Sequence, residues 1–237
     1  MNDEVLWLRT VCAHHGLSLD DRQVSRLMTF AELLLGWNRQ VNLISRKDEE
    51  SFWTYHIPHS LSILMKLDIP ASSAVLDLGT GGGLPGIPLA IVRPDLRFTL
   101  LDSTKKKIDA VSDMASRLDL SNVHSVWGRA EEVARSNDFH RKFDIVIARA
   151  VASLKDLVKW SQPFLARSGA GETPAASASS RFPVRSALIT LKGGDLESEM
   201  RQVNHVQSIR KITTITIDIA ESEAFLASDK KILVVEF

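Results

Sequence analysis

Apolar positions along the chain fall into two regimes that change over near residue 73. Before it they recur at helical spacing. The clearest stretch is 20–37, where Val24, Leu27, Met28, Ala31, Leu34 and Leu35 mark one face. Asp20 and Asp21 suit its start, as caps and as charges favoured by the helix dipole. A second helix is expected over 49–67, with Pro58 kinking or dividing it because proline lacks a backbone donor and crowds the preceding turn. Residues 37–47, between the two, are polar and basic with apolar anchors and read as a shaped loop. A third helical pattern lies in the apolar N-terminal stretch that holds Cys12.

From residue 73 short apolar runs, at 74–78, 98–101, 123–127, 143–148 and 187–191, alternate with amphipathic stretches. The helices expected between them cover 86–92, 104–118, 129–136, 153–166 and 195–205; Ile108, Val111, Met114, Ala115 and Leu118 mark one face of the second. Such alternation implies a parallel sheet with helices on both sides. The last two strand candidates, 211–219 and 231–237, are joined by a short acidic segment, too short for a helical crossover, so an antiparallel hairpin is expected. The pattern predicts an α/β, Rossmann-like, doubly wound sheet of the class I methyltransferase type, mostly parallel with a C-terminal antiparallel hairpin, plus N-terminal helices. It divides the chain into a helical extension, 1–70, and a cofactor-binding domain, 71–237. The Ala-, Ser- and Gly-rich stretch around 167–184 reads as a flexible insertion.

Composition narrows the class. The 237 residues carry 29 basic and 29 acidic side chains, so any contact with nucleic acid must rely on a local patch. At 44% hydrophobic the chain can build a substantial core. One cysteine excludes a disulfide framework and a zinc cluster, and favours a reducing compartment. The acidic opening Met1-Asn2-Asp3-Glu4 lacks the cationic segment of a signal peptide, and no apolar run is long enough to span a membrane. The expectation is a soluble, cytoplasmic protein, with nothing to demand more than a monomer.

The chemistry is concentrated in Val75-Leu76-Asp77-Leu78-Gly79-Thr80-Gly81-Gly82-Gly83-Leu84-Pro85-Gly86. Gly81, Gly83 and Gly86 have G-x-G-x-x-G spacing, and Asp102 follows at the end of the next strand, where a carboxylate accepts from ribose hydroxyls. NAD and S-adenosylmethionine both fit that architecture. Asp77, inside the strand, suits a cofactor bearing ammonium and sulfonium cations. Pro85 and Pro88 remove donors from the helix start on which a pyrophosphate must sit. Both features favour S-adenosylmethionine. In a doubly wound sheet the ligand lies at the carboxyl ends of the strands. Those ends carry Gly79, Asp102-Ser103, Gly128-Arg129-Ala130-Glu131, Ala148-Arg149-Ala150 and Lys192-Gly193-Gly194. Glu131, or the Ala130–Glu131 backbone, is placed to meet an adenine amino group; Glu131 equally suits a helix N-terminus.

On the acceptor side, Ile147-Ala148-Arg149-Ala150 is not an Asn/Asp-Pro-Pro-aromatic box, and no cysteine is near for covalent attack on a pyrimidine. No histidine or carboxylate is evident as a general base. A ring nitrogen such as guanine N7 has a free lone pair and needs none, leaving alignment as the main catalytic demand. Arg149 and Lys192 are candidates to hold phosphate or the guanine O6 edge. Arg39, Arg46, Lys47, Lys105, Lys106, Lys107, Arg149, Lys155, Lys159 and Lys192 together form a candidate basic patch. A methyltransferase acting on protein or a small molecule, and a nicotinamide oxidoreductase, remain as alternatives.

From about residue 33 to residue 195 the chain resembles the bacterial 16S ribosomal RNA guanine-N7 methyltransferases, the glucose-inhibited division protein B family. The resemblance rests on Asn42-Leu43-Ile44-Ser45, on 56–61, on Gly79 through the Leu84-Pro85-Gly86-Ile87-Pro88-Leu89-Ala90 continuation, on Leu101-Asp102-Ser103 with Lys106-Lys107, on Arg129-Ala130-Glu131-Glu132, on Arg149-Ala150 and on Leu191-Lys192-Gly193. It implies cofactor contacts at Gly79, Leu84, Ala130, Glu131 and Arg149, with Asp102 and Ser103 near the ribose. It also implies methyl transfer to N7 of one guanine in small-subunit rRNA. Where many members have Arg-His-x-x-Asp-Ser, this chain has Tyr55-His56-Ile57-Pro58-His59-Ser60. His56 and His59 share a helix face but lack the further ligands a metal needs, so no metal is expected.

Overall fold

The computed structural model describes residues 3–166, 181–194, 196–219 and 229–237; residues 167–180 of the expected insertion, and the link at 220–228, lie outside them. The N-terminal part is helical, with α1 at Asp3–His14 and α2 at Asp21–Asn38. Asp20 starts α2 as expected. Its carboxylate accepts from the Gln23 N–H, and the Gln23 side chain accepts from the Asp20 N–H, so two otherwise orphaned donors are satisfied. The stretch expected as one helix over 49–67 is divided. Phe52–His56 makes a π-helical turn, and α3, Ile57–Lys66, begins just before Pro58, where the missing donor has no helical partner to lose.

The strands are β1 (Leu67–Asp68), β2 (Ala74–Leu78), β3 (Arg97–Asp102), β4 (Val123–Trp127), β5 (Ile145–Arg149), β6 (Phe182–Pro183), β7 (Ala187–Gly193), β8 (Lys211–Thr216) and β9 (Lys230–Glu236). Seven of them form one sheet in the order β4-β3-β2-β5-β7-β9-β8. The first five in that order are parallel, and β9 runs antiparallel to both β7 and β8. The C-terminal strand is thus inserted between β7 and β8. β1 and β6 pair separately in parallel, so residues 182–183, expected to belong to a flexible stretch, are held in a short ladder.

The helices that return the chain are α4 (Gly86–Val92), α5 (Lys105–Arg117), α6 (Ala130–Val133), α7 (Leu154–Ser161) and α8 (Glu197–Arg201). The last three are shorter than their apolar patterns predict. Pro163 follows the end of α7, and Phe143, expected to start a strand, makes an isolated bridge to Leu165. Alternation along the strands sorts side chains into two cores. Val75, Phe98, Leu100, Ile145, Ile147, Ile189 and Val234 meet α1 to α5 on one face. Leu76, Leu78, Leu101, Val146, Leu188, Leu233 and Val235 pack on the other with Leu154, Leu157, Leu196 and Val203. The N-terminal helices therefore share a core with the sheet, and they reach the carboxyl ends of its strands.

Candidate functional site

Those carboxyl ends converge on a cavity of about 490 Å³, lined by Gly79, Gly81 and Leu84 after β2, by Asp102 and Ser103 at β3, by Ala130 and Glu131 after β4, and by Arg149 at β5. All were singled out from the sequence. Asp77 and Lys192 were too, and neither lines it.

The glycine turn is built from inside. Gly79 has φ +72°, and a Cβ there would lie 2.7 Å from Val151 Cγ2. Asp77 is fully buried beneath the turn; its Oδ2 accepts from Thr80 Oγ1 (2.7 Å) and from the Gly86 N–H (2.9 Å). A Cβ on Gly86 would be 2.6 Å from that oxygen, so Gly86 admits the carboxylate to the start of α4. The expectation that Asp77 faces a cationic ligand is corrected: it shapes the turn that faces the ligand. Burial pushes its carboxyl up to about 6, opposed by the Thr80 and Gly86 hydrogen bonds and by the charge of Arg149.

The start of α4 decides between the two cofactor classes. A pyrophosphate needs free N–H groups at a helix N-terminus. Here the Gly86 N–H goes to Asp77, the Ile87 N–H to the Gly83 carbonyl and the Leu89 N–H to the Pro85 carbonyl, while Pro85 and Pro88 have none. No free donor is left at the helix start to cradle phosphate, which counts against the nicotinamide reading. Asp102 is fixed by the Gly81 N–H (3.0 Å) on Oδ2 and the Thr104 N–H (2.8 Å) on Oδ1. Each oxygen keeps a lone pair for a hydroxyl in the cavity. Leu84 and Ala130 supply apolar wall, and Glu131 stands exposed at the rim in the first turn of α6. Residues fit for a nucleoside with a zwitterionic tail thus surround a space of the right size.

Arg149 ends β5 on the same sheet face as Asp77, because residues two apart share a face. Its Nη2 donates to His56 Nδ1 at 2.9 Å, while Nη1 is shielded from solvent and makes no hydrogen bond. Burial lowers the arginine pKa, and Tyr55, Asp77 and Asp48 act the other way. Burial and the nearby Arg149 charge hold His56 down at about 4, with Asp48 opposing, so the imidazole is neutral.

Lys192 lies elsewhere. It shares a face with Leu188, and its ammonium is taken up by Glu199 (2.6 Å) and the Ala152 carbonyl (3.0 Å). Glu199 Oε2 also accepts the Leu154 N–H at the start of α7. The expectation that Lys192 touches an acceptor is corrected, since the salt bridge braces the 150–154 loop from behind.

Val151 and Trp160 line the cavity without having been singled out in the sequence, and Leu43 and Thr80 line it after being quoted there only within longer motifs. Leu43 is brought there by the shaped loop, in which Asn38 Oδ1 accepts the N–H groups of Leu43 (2.7 Å) and Ile44 (3.0 Å). An Asn five residues before the segment it holds is a local signal for that loop. Lys107 lines the cavity as well, whereas Lys105 pairs with Asp109 on its own helix. Among the described residues no cluster of three His, Cys, Asp or Glu side chains is placed to hold a metal, and no helix is long and apolar enough to cross a membrane.

Comparison with known proteins agrees with this geometry. Solved structures share the fold at low identity. A predicted O-methyltransferase from Agrobacterium tumefaciens superposes with TM-score 0.55 at 11% identity, over 76% of this chain and 79% of that one. M. jannaschii TYW2 in complex with AdoMet gives 0.51 at 11%, over 81% and 76%. Among sequence relatives, the ribosomal RNA small subunit methyltransferase G of Chlorobium luteolum is 39% identical over 195 residues, 82% of this chain and 73% of its own length. That of Bacteroides fragilis strain ATCC 25285 is 38% identical over 194 residues, covering 82% and 86%. The family model GidB, rRNA small subunit methyltransferase G, matches residues 23–171, a span from α2 to beyond α7 that includes every cavity-lining residue named above. With a family model matched over more than half its length and such relatives across four-fifths of it, the chain belongs to the GidB family.

Proposed function

We propose that this protein transfers a methyl group from S-adenosylmethionine to N7 of a guanine in the 16S rRNA of the small ribosomal subunit. The observation that carries the reading is a strand-end cavity with a ribose-accepting carboxylate at Asp102 and a buried guanidinium at Arg149, but no pyrophosphate cradle. The named relatives act, by their names, on small-subunit rRNA.

In this reading Asp102 accepts from the ribose hydroxyls, with Ser103 beside it. Ala130 and Glu131 border the adenine. Gly79, Gly81 and Leu84 bring the backbone close to the methionyl part, and the Arg149 guanidinium pairs with its carboxylate. When bound, the cofactor supplies an electrophilic methyl group on a sulfonium. Where the cavity meets the end of β5 its walls are Arg149, Ala150 and Val151, none of which is a general base. That suits an acceptor nitrogen whose lone pair is already free, held in line by its surroundings. Residues 1–70 act as a helical cover, contributing Leu43 to the cavity wall and His56 behind it. The protein works as a monomer in the cytoplasm, where its substrate is; among the described residues only Leu6 and Trp127 are large hydrophobic side chains left exposed.

The test is to incubate the protein with undermodified 30S subunits and labelled S-adenosylmethionine, then map cleavage specific for 7-methylguanine. Label at one guanine of 16S rRNA is expected. Absence of label there, with an active control enzyme, overturns the proposal, and label in ribosomal protein instead identifies a protein methyltransferase.

A further inference from the structure

The buried polar groups around Arg149 have a consequence for His56. A guanidinium has donors and no acceptor, so the nitrogen facing it must accept. His56 Nδ1 lies 2.9 Å from Arg149 Nη2, which leaves the imidazole proton on Nε2, the nitrogen that faces Asp48 Oδ2 at 3.9 Å. The ring itself is fixed: it is buried, closes the π-helical turn Phe52–His56, and packs against Phe52 at 6.1 Å and Tyr55 at 5.4 Å between centroids. π-Turns inside helices are frequent at functional sites because they re-aim one side chain. Here the turn aims His56 across the sheet face at the end of β5.

A carboxylate in the place of His56 would also hold the guanidinium, but it would neutralise its charge. A neutral imidazole orients Arg149 and leaves its full positive charge for an anionic group in the cavity that Arg149 lines. We propose that His56 is a positioning residue for cofactor binding: acting through its Nδ1–Arg149 hydrogen bond, it presents the charged guanidinium to the carboxylate of the cofactor. The inference rests on the function proposed above. Asp48, whose carboxylate is nearly half exposed, lies beyond hydrogen-bond reach of Nε2, so the tautomer is set by the Arg149 contact on the other side of the ring.

Two measurements test it on the full-length protein. The first needs no variant. In 15N NMR spectra of histidine-labelled wild type near pH 7, His56 is expected in the Nε2–H tautomer, with an unprotonated Nδ1; an Nδ1–H tautomer would overturn the proposal. The second is a double-mutant cycle read by calorimetric titration with S-adenosylmethionine. H56A should weaken binding roughly 10- to 100-fold, the range for a lost hydrogen bond to a charged group. In an R149A background the same change should cost less than about twofold, because its partner is already gone. H56N, which keeps an acceptor near the Nδ1 position, should stay within about threefold of wild type. Equal losses from H56A in both backgrounds would assign His56 a packing role only. If wild type itself binds no S-adenosylmethionine, the functional proposal fails, while the tautomer measurement still reports on the His56–Arg149 bond.

Discussion

Arg149 is the residue on which most of the site's chemistry turns. It is a buried cation at the cavity wall, with one nitrogen engaged by His56 and another buried without a hydrogen bond. R149A should reduce methyl transfer by about 100-fold or more, the scale for removing a charged partner in a water-poor site, while circular dichroism shows the fold retained. Titration of its neighbours bears on stability. His56 is lowered to about 4, and His59 well below 6.5, so the unfolded chain binds their protons first. Their contribution is present above pH 6.5 and is lost as pH falls towards 4, for His56 on the order of 3 kcal/mol. Asp77, raised to about 6, has the opposite sign. Its ionisation opposes folding, so stability gains as pH falls from 6 to 3.8. Unfolding by urea between pH 4.5 and 7 should therefore be less acid-sensitive in H56N than in wild type and more so in D77N. Asp77 and Arg149 were both legible as site residues, yet their roles were not. Asp77 acts through a hydrogen bond nine residues along the chain and Arg149 through one 93 residues back, and no local pattern encodes either.

At the scale of elements, the N-terminal helices owe their existence to local signals and their function to what they pack on. The capping box at Asp20 lies far from the cavity, so D20A should lower stability by about 1 kcal/mol and leave cofactor affinity unchanged. Asn38 differs, because its side chain holds Leu43 and Ile44 and donates to Glu49 at 2.6 Å. Gly82 sits under this loop: a Cβ there would be 3.1 Å from Leu43 Cβ. N38A should cost about 1–3 kcal/mol in thermal or denaturant unfolding and weaken cofactor binding as well, since Leu43 forms part of the wall. A D20A variant that lost affinity, or an N38A variant that kept it, would contradict this division. Element types were legible because the hydrophobic period is local, as the close match of β4 and α4 to their expected spans shows. The π-turn at 52–56 and the β1–β6 ladder were not, because both are settled by distant partners: His56 by Arg149, and Leu67–Asp68 by Phe182–Pro183.

For the molecule as a whole, a formal net charge of zero leaves no overall attraction to RNA. Exposed Arg39, Arg46, Lys47, Lys106, Lys155 and Lys159 supply any local one. Affinity for 30S subunits should fall roughly tenfold or more between about 50 and about 200 mM salt, and charge reversal at Arg46 and Lys47 should flatten that slope. Salt-independent binding would remove these groups from the interface. Lys192 does not join them, because its charge is committed to Glu199. K192M should destabilise the 150–154 loop and the fold, with cofactor affinity within about threefold of wild type in whatever remains folded.

The sequence by itself determined the order of the main-sheet strands and their helices, the cofactor turn and most of the strand-end residues that meet at the cavity. Each depends on short-range chemistry: hydrophobic period, glycine spacing, and the rule that ligands sit at the carboxyl ends of parallel strands. Tertiary structure alone decided which polar groups face the cavity and which support those that do. It turned Asp77 inward to the start of α4, paired Lys192 with Glu199, and set His56 behind Arg149. The physical reason is that a buried polar group must find a partner, and the partner it finds is a neighbour in space that can lie anywhere along the chain.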